Sequence, residues 1–294
     1  MKKSINKINA FIIILAVVLA LYTISLIVPL VWAGYTSFKD YDADFYYNVL
    51  GLPQKWMFSN YSKAFANFTI KVRSVSGGYV WVGFGEMLLN SLLYSLGASF
   101  FGALIPCIVG YAMAKFDFKF SKFLYTYILV MMALPVVGAL ASEIEVVRTL
   151  GIYDSIYGIW LMRAHFATSY TLVFYASFKS IPKGYSEAAE IDGASEWTVM
   201  TRVIMPLVIK TFGAIMLILF IRDWNEYETA IIYLPTHPTI AYGLWAFNGI
   251  SVHGMNGVPM KLTGCMILFI PILILFIIFQ DKLMGNVSMG GLKG

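Results

Sequence analysis

The chain has 294 residues, 59% of them hydrophobic and only 13% charged, with a formal net charge of +5 and a mean hydropathy of +0.74. Soluble domains carry about a quarter charged residues, so this composition excludes a soluble globular protein and points to an integral membrane protein. So small a positive surplus does not suggest nucleic acid, and the two cysteines, Cys107 and Cys265, both fall in apolar stretches, which argues against a disulfide framework or a metal knuckle.

Gaps between charges mark the expected spans. Residues 11–33 are uncharged and long enough to cross about 30 Å of hydrocarbon at ~1.5 Å per residue. Lys2, Lys3 and Lys7 precede them as in a signal peptide, but the apolar run exceeds a cleavable core of about 7–15 residues, so a retained first helix is expected. In the loop that follows, 36–86, the aromatic residues Tyr41, Phe45, Tyr46, Tyr47 and Trp56 suit either an interfacial belt or a docking face. Residues 87–114 and 123–142 are the second and third spans. The fourth, 155–178, holds Arg163 and His165; the fifth, 207–232, holds Lys210 and Arg222; the last is 262–280. An all-α, polytopic protein with six transmembrane helices is expected. Its parts are a tail and first helix (1–35), the loop 36–86, a five-helix core (87–280) and a C-terminal tail (281–294).

Basic residues orient these spans. With the amino terminus in the cytoplasm, Lys115, Lys119 and Lys122 share that side with Lys179, Lys183, Arg202, Lys210, Lys282 and Lys293. The short opposite loops hold little more than Arg148 and Lys261, and long loops such as 36–86 weigh weakly. Both termini are expected in the cytoplasm, in a bacterial-type inner membrane.

A polar island, EAAEIDGASEWTVMTRVIMP at 187–206, interrupts the apolar chain on the cytoplasmic side. Ser186 is placed to cap a helix beginning at Glu187, whose carboxylate suits the positive helix end. Ala188 and Ala189 are small enough for another protein to approach closely. Gly193 accepts the backbone angles of a turn between two short helices. Ser195 reads as a second cap, with Thr198 three residues on, and Pro206 opens the next apolar segment, where a missing donor costs least.

The order Glu187, Ala188, Ala189, then Gly193, then Val203, Ile204, Met205, Pro206 resembles the EAA loop of membrane permeases of binding-protein-dependent ABC importers; Val203 and Met205 are conservative departures. Other short matches fall in order along the chain. They are Ser37-Phe38-Lys39, Phe58-Ser59-Asn60-Tyr61, Asn90-Ser91, Tyr111 to Phe116, Leu150-Gly151 with Tyr153-Asp154, Phe178 to Lys183, Trp224-Asn225-Glu226 and the Gly-rich tail 290–294. Together they resemble the shorter six-helix permease of the maltose-importer class and imply a type I ABC importer permease fold. The resemblance implies a sugar or oligosaccharide importer with a second permease (as a heterodimer), two ATPase subunits and an extracytoplasmic binding protein. It also implies a coupling loop, 181–206, in which Glu187, Ala188, Ala189, Asp192, Gly193 and Pro206 meet the ATPase, with Lys293 and Gly294 reaching toward it. No Gly-x4-Gly run leads into Lys-Ser or Lys-Thr (Gly290 is followed by Gly291 and Leu292), so the chain has no Walker A cradle. ATP and Mg would bind to the partner ATPase, and no cofactor or enzymatic activity is expected of this chain.

Charges within spans usually face a cavity or a partner. Glu143, Arg163, Arg222, Trp224, Asn225, Glu226 and Tyr227 are the candidate substrate path. The competing reading is structural pairing, for instance Arg222 with Glu226 at helical spacing. His237 and His253 are too far apart to propose a metal site. Two other functions stay open: an ABC permease for a non-carbohydrate solute, and a membrane-embedded enzyme or channel. The second lacks a His-Glu-x-x-His motif, a serine elbow or paired intramembrane aspartates.

Overall fold

The computed structural model describes residues 10–73, 77–116, 120–134, 138–249 and 257–284. They divide into two compact units, one drawn from the ranges Met1–Phe68 and Ala246–Phe269, the other from Thr69–Trp245 and Ile270–Gly294.

The first unit begins with α1 (Ala10–Thr36), a helix apolar on every side, with Pro29 inside it. Every residue from 11 to 31 is exposed, as expected of a helix whose solvent is lipid. A polar knot forms where α1 ends, before and around α2 (Ser59–Asn67). Asn60 Nδ2 donates to the Ser37 and Lys39 carbonyls at 2.9 Å each, and Thr263 Oγ1 donates to the Ser37 carbonyl at 2.9 Å. Lys39, only 1% exposed, donates to the Asn48 carbonyl. Phe38 meets Phe58 and Tyr61 with ring centroids 5.1 and 5.0 Å apart. Two short motifs far apart in sequence, around Phe38 and around Asn60, thus form one knot. A buried polar group needs a partner, and each supplies the other's.

The second unit opens with an antiparallel hairpin, β1 (Ile70–Arg73) on β2 (Tyr79–Val82), in the register Ile70↔Val82 to Arg73↔Tyr79. This is an addition to the all-helical expectation. Its axis is α3 (Phe84–Lys115), followed by α4 (Ser121–Ala133), α5 (Leu140–Thr149), α6 (Ile156–Arg163), α7 (Ser169–Lys179), α8 (Gly184–Ile191), α9 (Glu196–Thr198), α10 (Met205–Asn225) and α11 (Glu228–Tyr233). Helices α12 (Ile240–Asn248) and α13 (Val258–Met284) complete the described chain. The face of α3 bearing Ser91, Ser95, Ala98, Gly102, Ala103 and Gly110 is buried along α6, α7 and α10. Small residues let helix backbones approach closely where lipid gives no hydrophobic drive between them. The core below joins Cys107, Tyr111, Phe174, Phe178, Ile204, Val208 and Leu219.

Of the six expected spans, four stand as single long helices and two are interrupted. Among the described residues, four helices are long and apolar enough to cross a membrane: Phe11–Thr36, Phe84–Lys115, Glu196–Asn225 and Val258–Ile278. The stretch expected as the third span holds the shorter Ser121–Ala133 and the start of α5. The fourth is split into α6 and α7, because the chain turns tightly after Arg163: His165 N–H donates to the Arg163 carbonyl at 2.9 Å and Thr168 N–H to the Phe166 carbonyl at 2.8 Å.

Candidate functional site

The polar island is built as helix, turn and helix. Helix α8 starts earlier than expected: Lys183 O accepts from Ser186 N–H at 2.9 Å and Glu187 N–H at 3.1 Å. Ser186 therefore lies inside the first turn instead of capping it, because Pro182, with its fixed φ, already starts the helical path. Glu187 remains in that first turn, at the positive end of the helix. Gly193 has φ +80°. Its N–H donates to Glu190 O at 2.9 Å and the Ala194 N–H to Ala189 O at 3.0 Å, closing α8 with a left-handed residue. No atom lies within 4 Å of where a Gly193 Cβ would sit, so backbone conformation, not space, demands glycine here. The Ser195 hydroxyl accepts the Thr198 N–H at 3.3 Å, as a cap should.

Past Thr198 the chain passes through a π-turn, Val199–Ile204, into α10, so that Glu196–Asn225 is one helical run. Pro206 stands in the first turn of α10, where the apolar segment opens as expected, and the widened turn ahead of it accommodates the missing donor and the ring.

Glu187, Ala188, Asp192 and Gly193 are exposed. Ala189 is turned inward and packs on the core beneath. The sequence reading missed the large apolar residues of the same surface: Ile191 is 86% exposed and Trp197 69%. Their signal was present, since bulky apolar side chains inside a polar island have no core of their own to fill. Behind the loop, a cavity of about 200 Å³ is lined by Tyr111, Lys115, Lys183, Glu187, Glu190 and Glu196. Lys115 Nζ donates to Ile181 O at 2.9 Å, tying the end of α3 to the loop entrance. Lys293, Gly294 and His253 lie outside the described residues.

A second polar group gathers where α6 and α10 end. Arg163 Nη2 lies 3.7 Å from both Asp223 Oδ1 and Glu226 Oε2 and donates to Thr229 Oγ1 at 3.3 Å. Tyr94 of α3 donates to Glu226 Oε2 at 3.0 Å, and the Thr229 N–H donates to Glu226 Oε1 at 2.7 Å. Arg222 forks onto Asp223 Oδ1 at 2.9 and 2.8 Å. The Arg222–Glu226 pair of the competing reading is not made: Glu226 has left the helix, with φ −82° and ψ 122°, so helical spacing no longer applies. Asp223 has no exposed side-chain surface, and Trp224 is buried and stacked on Phe220 at 5.7 Å; neither lines an open path in this conformation. Asn225 is exposed, and Tyr227 stacks on Trp245 at 6.2 Å. Glu143 is exposed beside Tyr233.

Irregular backbone at membrane depth survives only where protein or water satisfies it, and this cluster spans both breaks. Arg163→Leu is expected to cost about 1–3 kcal/mol, because a half-buried network loses a cation and Glu226 and Thr229 lose a charged partner. Arg163→Lys should fall between it and the parent, since an ammonium cannot fork. Thermal unfolding in lipid nanodiscs measures the order; an unshifted melting point for Arg163→Leu contradicts the cluster's structural role.

Asn90 and Ser91 are tied likewise, Asn90 Nδ2 to Pro238 O at 3.1 Å and Ser91 Oγ to the Ile240 N–H at 2.7 Å. Asp154 accepts the Thr236 N–H at 3.0 Å and hydroxyl at 2.7 Å, with His237 Nδ1 at 3.4 Å. These short motifs are clips between α3, the α5–α6 turn and the segment before α12.

Residues 102–288 match the binding-protein-dependent transport system inner membrane component family. The chain is 25% identical over 275 residues to the diacetylchitobiose uptake system permease protein NgcG of Streptomyces coelicolor, covering 92% of this chain and 86% of that one. It is 24% identical over 233 residues to the arabinooligosaccharides transport system permease protein AraQ of Bacillus subtilis, covering 79% of each. To the trehalose/maltose transport system permease protein MalG of Thermococcus litoralis it is 27% identical over 216 residues, 72% of this chain and 76% of that one. In fold it is similar to a chain of a bacterial ABC transporter involved in the import of the acidic polysaccharide alginate, with a TM-score of 0.74 at 20% identity, covering 96% of this chain and 99% of that one.

Proposed function

This chain belongs to the binding-protein-dependent transport system inner membrane components, and from that membership we propose that it passes a sugar or oligosaccharide inward by alternating access. It is a non-catalytic transport subunit. In this reading two ATPase subunits bind the ATP and Mg, an extracytoplasmic binding protein delivers the solute, and a related second permease completes the pathway as a heterodimer. Both termini and the coupling loop face the cytoplasm. The cargo follows the relatives, whose names specify diacetylchitobiose, arabinooligosaccharides and trehalose or maltose.

One observation carries the mechanism: the exposed loop around Gly193 is continuous, through Glu196–Asn225, with the helix whose far end holds Asp223. Force applied by an ATPase at Glu187, Ala188, Asp192, Ile191 and Trp197 reaches the Arg163 cluster along one helical run. When the cluster opens, Arg222, Asn225 and the Tyr227–Trp245 stack offer polar and aromatic faces of the kind sugars bind. Lys293 and Gly294 are assigned to the ATPase side.

Reconstitution with the genomically adjacent permease, ATPase and binding protein tests this reading. Vanadate-sensitive uptake of a labelled oligosaccharide is expected. Uptake of an amino acid or phosphate instead contradicts the cargo, and uptake without nucleotide hydrolysis contradicts the mechanism.

A further inference from the structure

Residues 46–58, beyond the end of α1, present large apolar side chains that no core covers: Tyr47 is 80% exposed, Leu50 78%, and Leu52 and Phe58 each more than half. The depth of this segment is set by two hydrogen bonds. Trp32 Nε1 donates to Val49 O at 2.9 Å and the Tyr35 hydroxyl to Leu50 O at 2.5 Å. The uniformly exposed run 11–31 spans about 30 Å at ~1.5 Å per residue, one hydrocarbon thickness. The turn of α1 bearing Trp32 and Tyr35 therefore stands at the headgroup level, and Val49 and Leu50 are held beside it, short of the end of the helix.

We infer that residues 46–58 form an interfacial anchor seated in the phospholipid leaflet at which α1 emerges, with Leu50 and Leu52 inserted and Tyr46, Tyr47 and Trp56 in the headgroup belt. The occupant is lipid because the surface is continuous with the exposed, uniformly apolar side of α1. A soluble docking partner would meet side chains beyond the helix end, not carbonyls pinned beside Trp32. Charge agrees: residues 45–58 contain Lys55 and no carboxylate, which favours anionic phosphate. The carboxylate just before them, Asp44, is buried and accepts the Gln54 N–H at 2.8 Å. The segment is also preorganised. Buried Lys39 holds the Asn48 carbonyl, and Asn48 Oδ1 accepts the Gly51 N–H at 2.9 Å, so little order remains to be gained on contact with lipid.

The test uses the assembled transporter in liposomes of phosphatidylethanolamine and phosphatidylglycerol. A spin label is placed at Leu50→Cys in a chain carrying Cys107→Ala and Cys265→Ala, with Val18→Cys as the lipid reference and Ser62→Cys as the water reference. The ratio of oxygen to nickel-chelate collisions at position 50 is expected to exceed that at position 62 severalfold, approach that at position 18, and stay unchanged when the solute-binding protein is added. A ratio equal to that at position 62, or accessibility lost on adding the binding protein, overturns the inference. The unsubstituted chain supplies a second readout: brominated lipid should quench Trp56, seen as extra quenching over Trp56→Phe, and no extra quenching overturns it as well.

Discussion

Replacing Gly110 with leucine is expected to remove the protein from the membrane. A Cβ there would lie 2.7 Å from Phe174 Cβ and 2.9 Å from the Tyr175 backbone nitrogen, so α3 and α7 touch backbone to backbone. A backbone atom cannot rotate aside as a flexible side chain can, and overpacking costs about 1–3 kcal/mol even where neighbours adjust. Leucine should exceed that range and alanine should fall within it. Gly213→Ala is the control: nothing lies within 4 Å of its Cβ position, and alanine is the better helix former. Membrane abundance and monodispersity on size exclusion check the series. Parental abundance for Gly110→Leu contradicts the packing described for the α3 axis.

Gly193 should behave in the opposite way, with folding kept and transport lost. Its surroundings are open, so any side chain fits; only φ +80° resists. A branched side chain in the left-handed region costs about 1–2 kcal/mol, which at about tenfold per 1.4 kcal/mol depletes the docking geometry roughly five- to thirtyfold. Gly193→Asn should be mild, Gly193→Ala intermediate and Gly193→Val severe, in the order of left-handed tolerance. Stimulated ATP hydrolysis and uptake should fall together at constant abundance. A ranking that follows side-chain volume, with asparagine as damaging as valine, contradicts the turn's role. Ile191→Asp and Trp197→Asp should reproduce the valine phenotype without strain, by placing charge where an apolar contact is expected.

How legible these features were in the sequence depended on their range. The left-handed turn at Gly193 and the cap at Ser195 are local devices whose residue types state their geometry, and both stand where expected. The composition and the first helix were equally plain, because a run of lipid-facing residues needs no knowledge of its neighbours. The break after Arg163 was hidden: residues 164–168 contain neither glycine nor proline, and an apolar count reads straight through them. Its cause is long-range, in the Tyr94, Asp223 and Glu226 groups that gather Arg163. The trace it left was a charge in mid-span followed by Thr168 and Ser169, residues common at helix starts. The Arg222–Glu226 pairing, weighed against a substrate path, is absent because Glu226 is extended and lies beyond the reach of helical spacing. The knot around Phe38 and Asn60 left only two short motifs whose partnership the fold supplied.

The central claim is that the loop around Gly193 is a cytoplasmic grip for a separate ATPase. Its most direct test places a cysteine at Ile191 in a chain with Cys107→Ala and Cys265→Ala and treats it with a membrane-impermeant maleimide. Labelling is expected in inside-out vesicles, absent in intact cells, and blocked once the ATPase subunits are assembled. Labelling from outside intact cells, or equal labelling with and without the ATPase, contradicts the account.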